Sequence, residues 1–297
     1  MDSIKGMNRS VLKGFMAARF LVLVFFGLTL SGCVSRMVNS IIFSSAENMQ
    51  YQTDLELICD GGASFLLLVD SMVVSSPEDV ALRISATKAY SAYIAAVIEC
   101  GRPERAASLS LKAKEYGFSL LESIPSLKNI RSMTFAEIEN GLLGVGLKDV
   151  GPLFWGAYGW GTWVLNQGGS PESLADLIKI EKIMIRVLEL DDAFYNGAGH
   201  LFLGIYYGGR PKIYGGRIEE GRKHFERALV ISNRQFLQVQ LSYAETVARM
   251  LFDRDLYESL LREIIDFPLA SRPDLTLINQ IAKNKAKKLL ENIDLDF

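Results

Sequence analysis

The segment from residue 154 to residue 163 has a composition suited to binding an apolar molecule. It reads Phe-Trp-Gly-Ala-Tyr-Gly-Trp-Gly-Thr-Trp and contains all three tryptophans of the chain. On a helix, Trp155, Tyr158 and Trp163 share one face, whereas Trp160 points elsewhere. A glycine inside a helix costs about 1 kcal/mol relative to alanine, so these glycines indicate the close approach of a neighbouring helix or of a ligand. The segment therefore predicts either an aromatic core at a tight helix crossing or an apolar pocket lined by aromatic rings.

The two histidines, His200 and His224, are the residues best suited to proton transfer or metal binding. A lone helical histidine is more often a hydrogen-bonded core residue. Neither has a serine or a carboxylate at a local spacing typical of a catalytic triad or a zinc site. We therefore predict a protein that is not an enzyme and that holds no metal and no cofactor. His200 remains a candidate binding residue beside Phe202 and Tyr206, which share another face of its helix.

The segment 208–217 has the composition of an anion-binding loop. It reads Gly-Gly-Arg-Pro-Lys-Ile-Tyr-Gly-Gly-Arg, in which backbone amides and the guanidinium group of Arg210 could surround a negative charge. No Gly-Lys-Ser or Gly-Lys-Thr follows, which excludes a P-loop. The alternative is a long connection between helices with glycine caps. Both interpretations stay open at this level.

The composition excludes several classes of protein. The chain has 297 residues, 49% hydrophobic and 22% charged, which is typical of a globular protein that buries a large core. Its 32 basic and 34 acidic residues give a net charge of −2, so the bulk charge does not favour nucleic acid. Two histidines and three cysteines leave little material for a metal site or a disulfide framework.

The N-terminal segment predicts an export signal that ends at a lipid attachment site. Basic residues precede an apolar run, Phe20 to Leu30, that is too short to span a bilayer but suits the core of a signal peptide. The sequence Leu30-Ser31-Gly32-Cys33 then resembles a bacterial lipobox, in which the cysteine is lipidated and becomes the first residue after cleavage. Cys33 is therefore the predicted lipidation site.

This reading divides the chain into a cleaved signal peptide over residues 1–32, a lipidated cysteine and tether over 33–53, and a helical domain over 54–297. Two or more acyl chains on Cys33 are sufficient for stable attachment to a membrane. The predicted location is the periplasm. Val34 stands where an aspartate signals inner-membrane retention in enteric bacteria, which favours the outer membrane.

Cys59 and Cys100 are the cysteines of the helical domain. With a turn near residue 75 between two antiparallel helices, Cys100 lies level with residue 51, which is roughly 12 Å along the axis from Cys59 at a rise of about 1.5 Å per residue. A disulfide requires Cα atoms within about 7 Å. The assumed register therefore predicts two free, buried thiols.

Beyond the tether, the hydrophobic period is helical. Apolar residues such as Leu55, Ile58 and Phe65 recur at three- and four-residue steps or small multiples of them, and proline at a first helical position marks several starts, as in Ser170-Pro171 and Ser76-Pro77. No alternating strand pattern bounded by turns is present. These signals predict helices over residues 54–74, 77–100, 103–122, 133–144, 151–167, 171–189, 192–208, 217–232, 235–251, 254–266 and 274–293.

The predicted fold is all-α, a stack of antiparallel helical hairpins that resemble degenerate tetratricopeptide repeats. The second helix of such a repeat has a characteristic spacing, which is present at Gly221, Phe225 and Ala228. The spacing of the first helix is present at Gly204 and Tyr207. The small residues let paired helices approach, and the aromatic residue fills the gap between pairs, so that stacked units share one core.

Several segments resemble one known family. The densest matches lie between residues 197 and 229. They are Gly197-Ala198-Gly199-His200-Leu201-Phe202-Leu203-Gly204, Arg210-Pro211, Gly215-Gly216 and His224-Phe225-Glu226-Arg227-Ala228-Leu229. Cys59-Asp60-Gly61-Gly62 and Trp155-Gly156-Ala157-Tyr158-Gly159-Trp160-Gly161 fit as well. On these residues, the chain resembles the T component of TRAP (tripartite ATP-independent periplasmic) transporters over roughly residues 57–290.

The resemblance implies a lipid-anchored, non-enzymatic partner of the transporter's substrate-binding protein, the P component. It also implies a cleft or channel through the helical stack that accepts a small, hydrophobic ligand. A homo-oligomer is expected because most soluble oligomers are symmetric assemblies of one chain. We place the ligand or the partner near eight residues: Trp155, Tyr158, Trp160, Trp163, His200, Phe202, Tyr206 and Arg210.

Two other functions remain as alternatives. Other lipoproteins built from repeats serve as general scaffolds for envelope assembly through protein–protein contacts, and this chain has the same features. A periplasmic hydrolase is the third class, which the absence of local catalytic spacing around His200 and His224 disfavours.

Overall fold

The computed structural model describes residues 48–297. The predicted signal peptide and Cys33 lie outside the described residues. Within residues 48–297, every regular element is a helix and no strand occurs, which confirms the all-α prediction. The α-helices, numbered in chain order, are α1 Leu55–Ser75, α2 Val80–Glu99, α3 Ala106–Glu122, α4 Phe135–Leu143, α5 Val150–Leu165, α6 Pro171–Leu190, α7 Phe194–Gly208, α8 Ile218–Ile231, α9 Gln238–Tyr243, α10 Arg254–Asp266, α11 Thr276–Glu291 and α12 Ile293–Asp296.

Side-chain caps explain where several helices begin. Ser170 accepts a hydrogen bond from the backbone nitrogen of Ser173 at 3.3 Å, as its place before Pro171 predicts. The start of α2 differs from the prediction by three residues. Asp79, and not Ser76, is the N-cap, because its carboxylate accepts from the nitrogen of Leu82 at 3.1 Å. The connection between α1 and α2 is longer as a result.

The prediction of two free thiols is wrong, because Cys59 and Cys100 form a disulfide with Cα atoms 6.8 Å apart. The assumed turn near residue 75 caused the error. Because α1 continues to Ser75 and α2 begins at Val80, the turn lies later in the chain and the register of the hairpin shifts. The Sγ of Cys59 lies 3.3 Å from the carbonyl oxygen of Ala96, about one helical turn from Cys100.

Helix α1 has the length and composition of a membrane span, with a mean hydropathy of 1.8. One of its faces nevertheless packs on α2. The hydroxyl of Tyr93 donates to the carbonyl oxygen of Cys59 at 3.0 Å, and the ring of Tyr93 occupies the space that a Cβ at Gly62 would need. The opposite face carries the exposed side chains of Leu57 and Leu67. In this structure α1 is a packed helix of the domain.

Successive helices pack as neighbours, and small residues set their spacing. A Cβ at Gly221 of α8 would lie 2.5 Å from the backbone nitrogen of Gly208 in α7. A Cβ at Gly204 would lie 3.0 Å from the ring of Phe225. The residues singled out by the repeat pattern therefore lie at the closest point between α7 and α8.

The helical stack closes on itself. The long C-terminal helix α11 returns to the first hairpin, where Leu277 and Ile281 form an apolar cluster with Ile58 of α1 and Ala96 of α2. A larger core runs from α3 to α11. Side chains from the first hairpin and from α11, far apart in the sequence, therefore meet in one cluster.

Candidate functional site

The glycines of the aromatic segment are explained by a tight crossing of α3 and α5. A Cβ at Gly159 would lie 2.4 Å from the carbonyl oxygen of Ala113, and a Cβ at Gly117 would lie 2.6 Å from that of Gly156. The backbones of α3 and α5 thus approach each other closely where both helices have glycine or alanine. On this face, the structure favours the aromatic core at a helix crossing over the apolar pocket.

All three tryptophans are buried in the hydrophobic core, and two of them pack between α5 and its neighbours α3 and α6. Trp160 is 2% exposed, and its indole nitrogen donates to Asp176 of α6 at 2.8 Å. Trp163 is also buried, with the ammonium nitrogen of Lys114 at 3.2 Å from its ring centroid. Both rings therefore hold α5 against α3 and α6, and neither reaches Trp155 among the ring contacts of the described residues.

The N-terminal end of α7 has a strained backbone. Tyr195 and Asn196 adopt φ values of 46° and 58°, followed by Gly197 at 75°. Left-handed conformations cost a non-glycine residue roughly 1–2 kcal/mol. Arg272 stabilises the turn by donating from Nη2 to the side-chain oxygen of Asn196 at 3.2 Å. Nε of Arg272 also donates to the carboxylate of Asp274 at 2.9 Å, which fixes the position of the guanidinium group.

This turn directs the Tyr195 ring towards α5 and α2. Its centroid lies 4.7 Å from that of Trp155, which is also 5.3 Å from the ring of Tyr158. The ammonium nitrogen of Lys88 lies 4.6 Å from the centroid of Trp155 and 5.4 Å from that of Tyr195. We call Lys88, Trp155, Tyr158 and Tyr195 the aromatic–lysine cluster.

Burial is the first cause of the pKa shifts in the aromatic–lysine cluster. Burial raises the pKa of the Tyr158 hydroxyl and raises that of Tyr195 to about 12, with further contributions from Tyr158 and Asp274. Burial lowers the pKa of Lys88. Tyr195 is nevertheless 37% exposed, so solvent reaches this region. No carboxylate of residues 48–297 lies within ion-pair distance of Lys88.

A second group of predicted residues lies towards the other end of α7 and consists of Phe202, Tyr206 and Arg210. The rings of Phe202 and Tyr206 stack at 6.2 Å, and the guanidinium carbon of Arg210 lies 3.9 Å from the centroid of Tyr206. Arg210 also donates to the carbonyl oxygen of Tyr206 at 2.9 Å. Arg217 is engaged by Glu181 at 3.0 Å. Both guanidinium groups of segment 208–217 have partners within the protein, which favours the interpretation as a connection between helices.

Residues 51–297 match the profile of the TRAP transporter T-component family. The chain belongs to that family. No curated protein matches the chain. The family profile covers all the helices α1 to α12 and confirms the resemblance recognised in the sequence motifs. This T component therefore has an accessory role in a TRAP transporter, in a family that is not known for enzymes.

The two histidines of this T component form a hydrogen-bonded chain with a carboxylate. The Nδ1 atoms of His200 and His224 lie 2.8 Å apart, and Nε2 of His200 lies 2.6 Å from Asp192. The hydrogen bond from His200, and then that from Arg227, lowers the pKa of Asp192. Among the described residues, no hydroxyl or thiol is hydrogen-bonded to either imidazole. This row of hydrogen bonds therefore joins α7 to α8 and includes no hydroxyl or thiol of the described residues.

We expect the stability of the T component to decrease in mild acid because of His224. Burial, followed by the charges of His200 and Arg217, lowers its pKa to about 4. In the unfolded chain the pKa of a histidine is about 6.5. As the pH falls through 6.5, the unfolded state binds the proton and the folded state does not, so stability present at pH 7 is lost until the pH reaches about 4.

His224 is only half-buried, so solvent reduces this effect to about 1 kcal/mol between pH 7 and pH 5, or a fall of roughly 2–4 °C in Tm. Thermal unfolding at both pH values measures it. His224→Gln is the control, and it should lose this part of the pH dependence. Equal shifts in Tm for the two proteins would contradict the assignment.

Sequence reasoning identified Trp155 and Tyr158 but missed Lys88 and Tyr195. One signal for Lys88 was present, since it is the single charged residue between Arg83 and Glu99 in an otherwise apolar and small stretch of α2. Tyr195 carried no comparable signal, because its left-handed conformation depends on Arg272, which lies far away in the sequence. Two open surface hollows, of ≈ 470 and ≈ 490 Å³, lie away from all eight predicted residues.

Proposed function

We propose that this T component binds the substrate-binding protein of its transporter, the P component, and holds a small ligand within the helical stack. The observation that carries the proposal is the family match over residues 51–297. The aromatic–lysine cluster supports it, since three aromatic rings of α5 and α7 meet there beside one lysine of α2. Apolar walls with a few polar groups are typical of ligand sites.

The proposed location is the periplasm, with the protein attached to a membrane through lipid on Cys33. The apolar run before the lipobox supports this location, and Val34 supports the outer membrane. An anchored T component would meet a soluble P component on a membrane surface. The proposal includes self-association into a homo-oligomer, since a symmetric assembly would present several copies of one binding surface.

Sedimentation of the T component with the P component encoded beside it tests the proposal. We expect a complex with a Kd of about 1 µM or tighter, at a stoichiometry that also reveals the oligomeric state of the T component. Absence of a complex, with and without candidate ligands, would contradict the proposal. Capture of outer-membrane assembly proteins without the P component would instead favour the alternative of an envelope scaffold.

Arg210→Ala is expected to weaken this complex by about tenfold, because arginine beside an aromatic ring is typical of interface hot spots. Arg210 stacks on Tyr206 at the connection between α7 and α8. Arg262→Ala is the matched control, since Arg262 is an exposed arginine paired with Glu258 on α10. Equal affinities for the two variants, with both folded, would remove Arg210 from the interface.

A further inference from the structure

The exposed side of helix α1 is an apolar strip that no other element of the described residues covers. Its largest side chains are exposed, since Leu67 is 69% and Val74 is 80% accessible to solvent. Six exposed residues share this side, and we call them the α1 outer face: Gly61, Ser64, Leu67, Leu68, Ser71 and Val74. A continuous apolar strip on a protein surface indicates contact with another molecule or with a membrane.

The α1 outer face has no charge of its own. Over residues 61–77 the sequence contains one charged residue, Asp70. Its carboxylate is bound by neighbouring helices, because the hydroxyls of Tyr90 and Tyr116 donate to it at 2.9 and 2.5 Å and Lys112 pairs with it at 3.2 Å. No carboxylate or ammonium group of this segment therefore has to leave water if the face is covered.

Hydroxyl groups on and beside this face are also satisfied without water. Ser71 donates from Oγ to the carbonyl oxygen of Leu67 at 2.9 Å, and Ser75 donates to that of Ser71 at 2.9 Å. A polar group that has a hydrogen-bond partner inside its own helix loses less when it moves into an apolar environment. Both serines are therefore compatible with an apolar surrounding.

The size of the α1 outer face argues against a second copy of the chain as its occupant. From Gly61 to Val74 the strip is roughly 20 Å long, and a single helix is about 10 Å wide. The resulting area of about 200 Å² is well below the roughly 800 Å² that each partner buries in a stable protein interface. A small area is sufficient only when a separate attachment already holds the two surfaces together.

The predicted tether provides such an attachment. It occupies residues 33–53 and leads directly into α1, and a chain of about 20 residues reaches at most roughly 70 Å. A short flexible link raises the effective concentration of the domain at the membrane to about the millimolar range, so that weak contacts are occupied. Two cations beside α1, Arg102 paired with Asp60 and Lys112 paired with Asp70, are 40% and 55% exposed and can meet lipid phosphate groups.

We propose that the α1 outer face lies on the phospholipid surface to which Cys33 is attached, with α1 parallel to the membrane plane. The side chains of Leu67, Leu68 and Val74 enter the interfacial layer, as in other amphipathic helices that lie on membranes. The helix does not cross the bilayer, because the disulfide from Cys59 holds its opposite face on α2. This inference rests on one part of the proposed function, namely lipid attachment at Cys33.

Phospholipids that carry a nitroxide near the headgroup test this contact in the full lipidated protein. The protein is reconstituted into vesicles of phosphatidylethanolamine and phosphatidylglycerol after Leu67→Cys is labelled with the fluorophore nitrobenzoxadiazole. Lipid on Cys33 and the Cys59–Cys100 disulfide leave the new cysteine as the reactive thiol. We expect quenching at residue 67 to exceed that at a control position by about threefold or more, because the fluorophore enters the interfacial layer.

Val230→Cys is the matched control, since Val230 is an apolar residue on α8 with 70% exposure. Val74→Cys provides a second position on the α1 outer face and should be quenched like Leu67→Cys. Adding Leu68→Asp to Leu67→Cys should lower the quenching to the control value, because a carboxylate is costly to transfer out of water.

Equal quenching at residues 67 and 230, in protein whose Cys33 carries lipid by mass spectrometry, would overturn the inference and leave the anchor intact. Absence of lipid on Cys33 would overturn the anchor and the inference together. A fluorescence change at residue 67 that follows the density of protein in the vesicles, without quenching by the nitroxide, would show that a second copy covers the face and would also overturn the inference.

Discussion

Replacing Cys59 and Cys100 together by alanine is expected to lower the free energy of unfolding by about 4 kcal/mol. The bridge joins residues separated by 41 positions, and a cross-link over a loop of that length removes conformational entropy of about that size from the unfolded chain. It also connects α1 to α2, where α11 returns to the first hairpin. Urea unfolding of the oxidised protein and of the double variant measures the difference.

Reduction provides the control for this prediction. A thiol reductant should destabilise the unmodified protein by a similar amount and leave the double alanine variant unchanged. The native, unreduced helical domain should contain no thiol that reacts with a thiol reagent after unfolding. Two reactive thiols from Cys59 and Cys100 under those conditions would show that the bridge is absent.

Gly159→Ala is expected to destabilise the protein by about 3 kcal/mol, near the upper end of the usual cost of overpacking. The added methyl group would lie 2.4 Å from the carbonyl oxygen of Ala113, and a backbone atom cannot move aside as a flexible side chain can. The helices α3 and α5 would have to separate, which would shift Trp155 and Tyr158 relative to Lys88. Thermal or urea unfolding measures the loss of stability.

Gly161→Ala is the matched control, two residues further along the same helix. Its nearest neighbour would be the ring of Phe202 at 3.6 Å, an ordinary contact distance. Alanine is favoured over glycine inside a helix by about 1 kcal/mol, so this variant should be slightly more stable than the unmodified protein. Changes of the same sign and size at the two positions would show that the close crossing of α3 and α5 does not limit this part of the core.

Much of the architecture was accessible from local sequence signals. Apolar residues at three- and four-residue steps predicted the helices, because each α-helix depends on contacts between residues that are near one another in the chain. Ser170 before Pro171 marked the start of α6, since a cap is a local hydrogen bond. The motif runs around His200 and His224 were sufficient to recognise the family that the profile match establishes.

Only part of the candidate site could be predicted from local sequence signals. Trp155 and Tyr158 stood out because tryptophan and tyrosine are rare and concentrated in one segment. Trp160 and Trp163 had the same signal but contact α3 and α6 and not Tyr195, since composition does not state which side of a helix faces which neighbour. Asp192 was missed as the partner of His200, eight positions away, because the segment between them changes direction at the N-terminal end of α7.

The sequence by itself thus determined the helices, their order and the family, because these depend on short-range periodicity, caps and recognisable motifs. The tertiary structure alone decided that Cys59 meets Cys100 and that Lys88 meets Trp155 and Tyr195. These contacts depend on the register between helices. A shift of three residues at the start of α2 moves a side chain by about 4.5 Å along the helix axis. They also depend on the closure of the stack, which brings Arg272 to Asn196 across 76 residues.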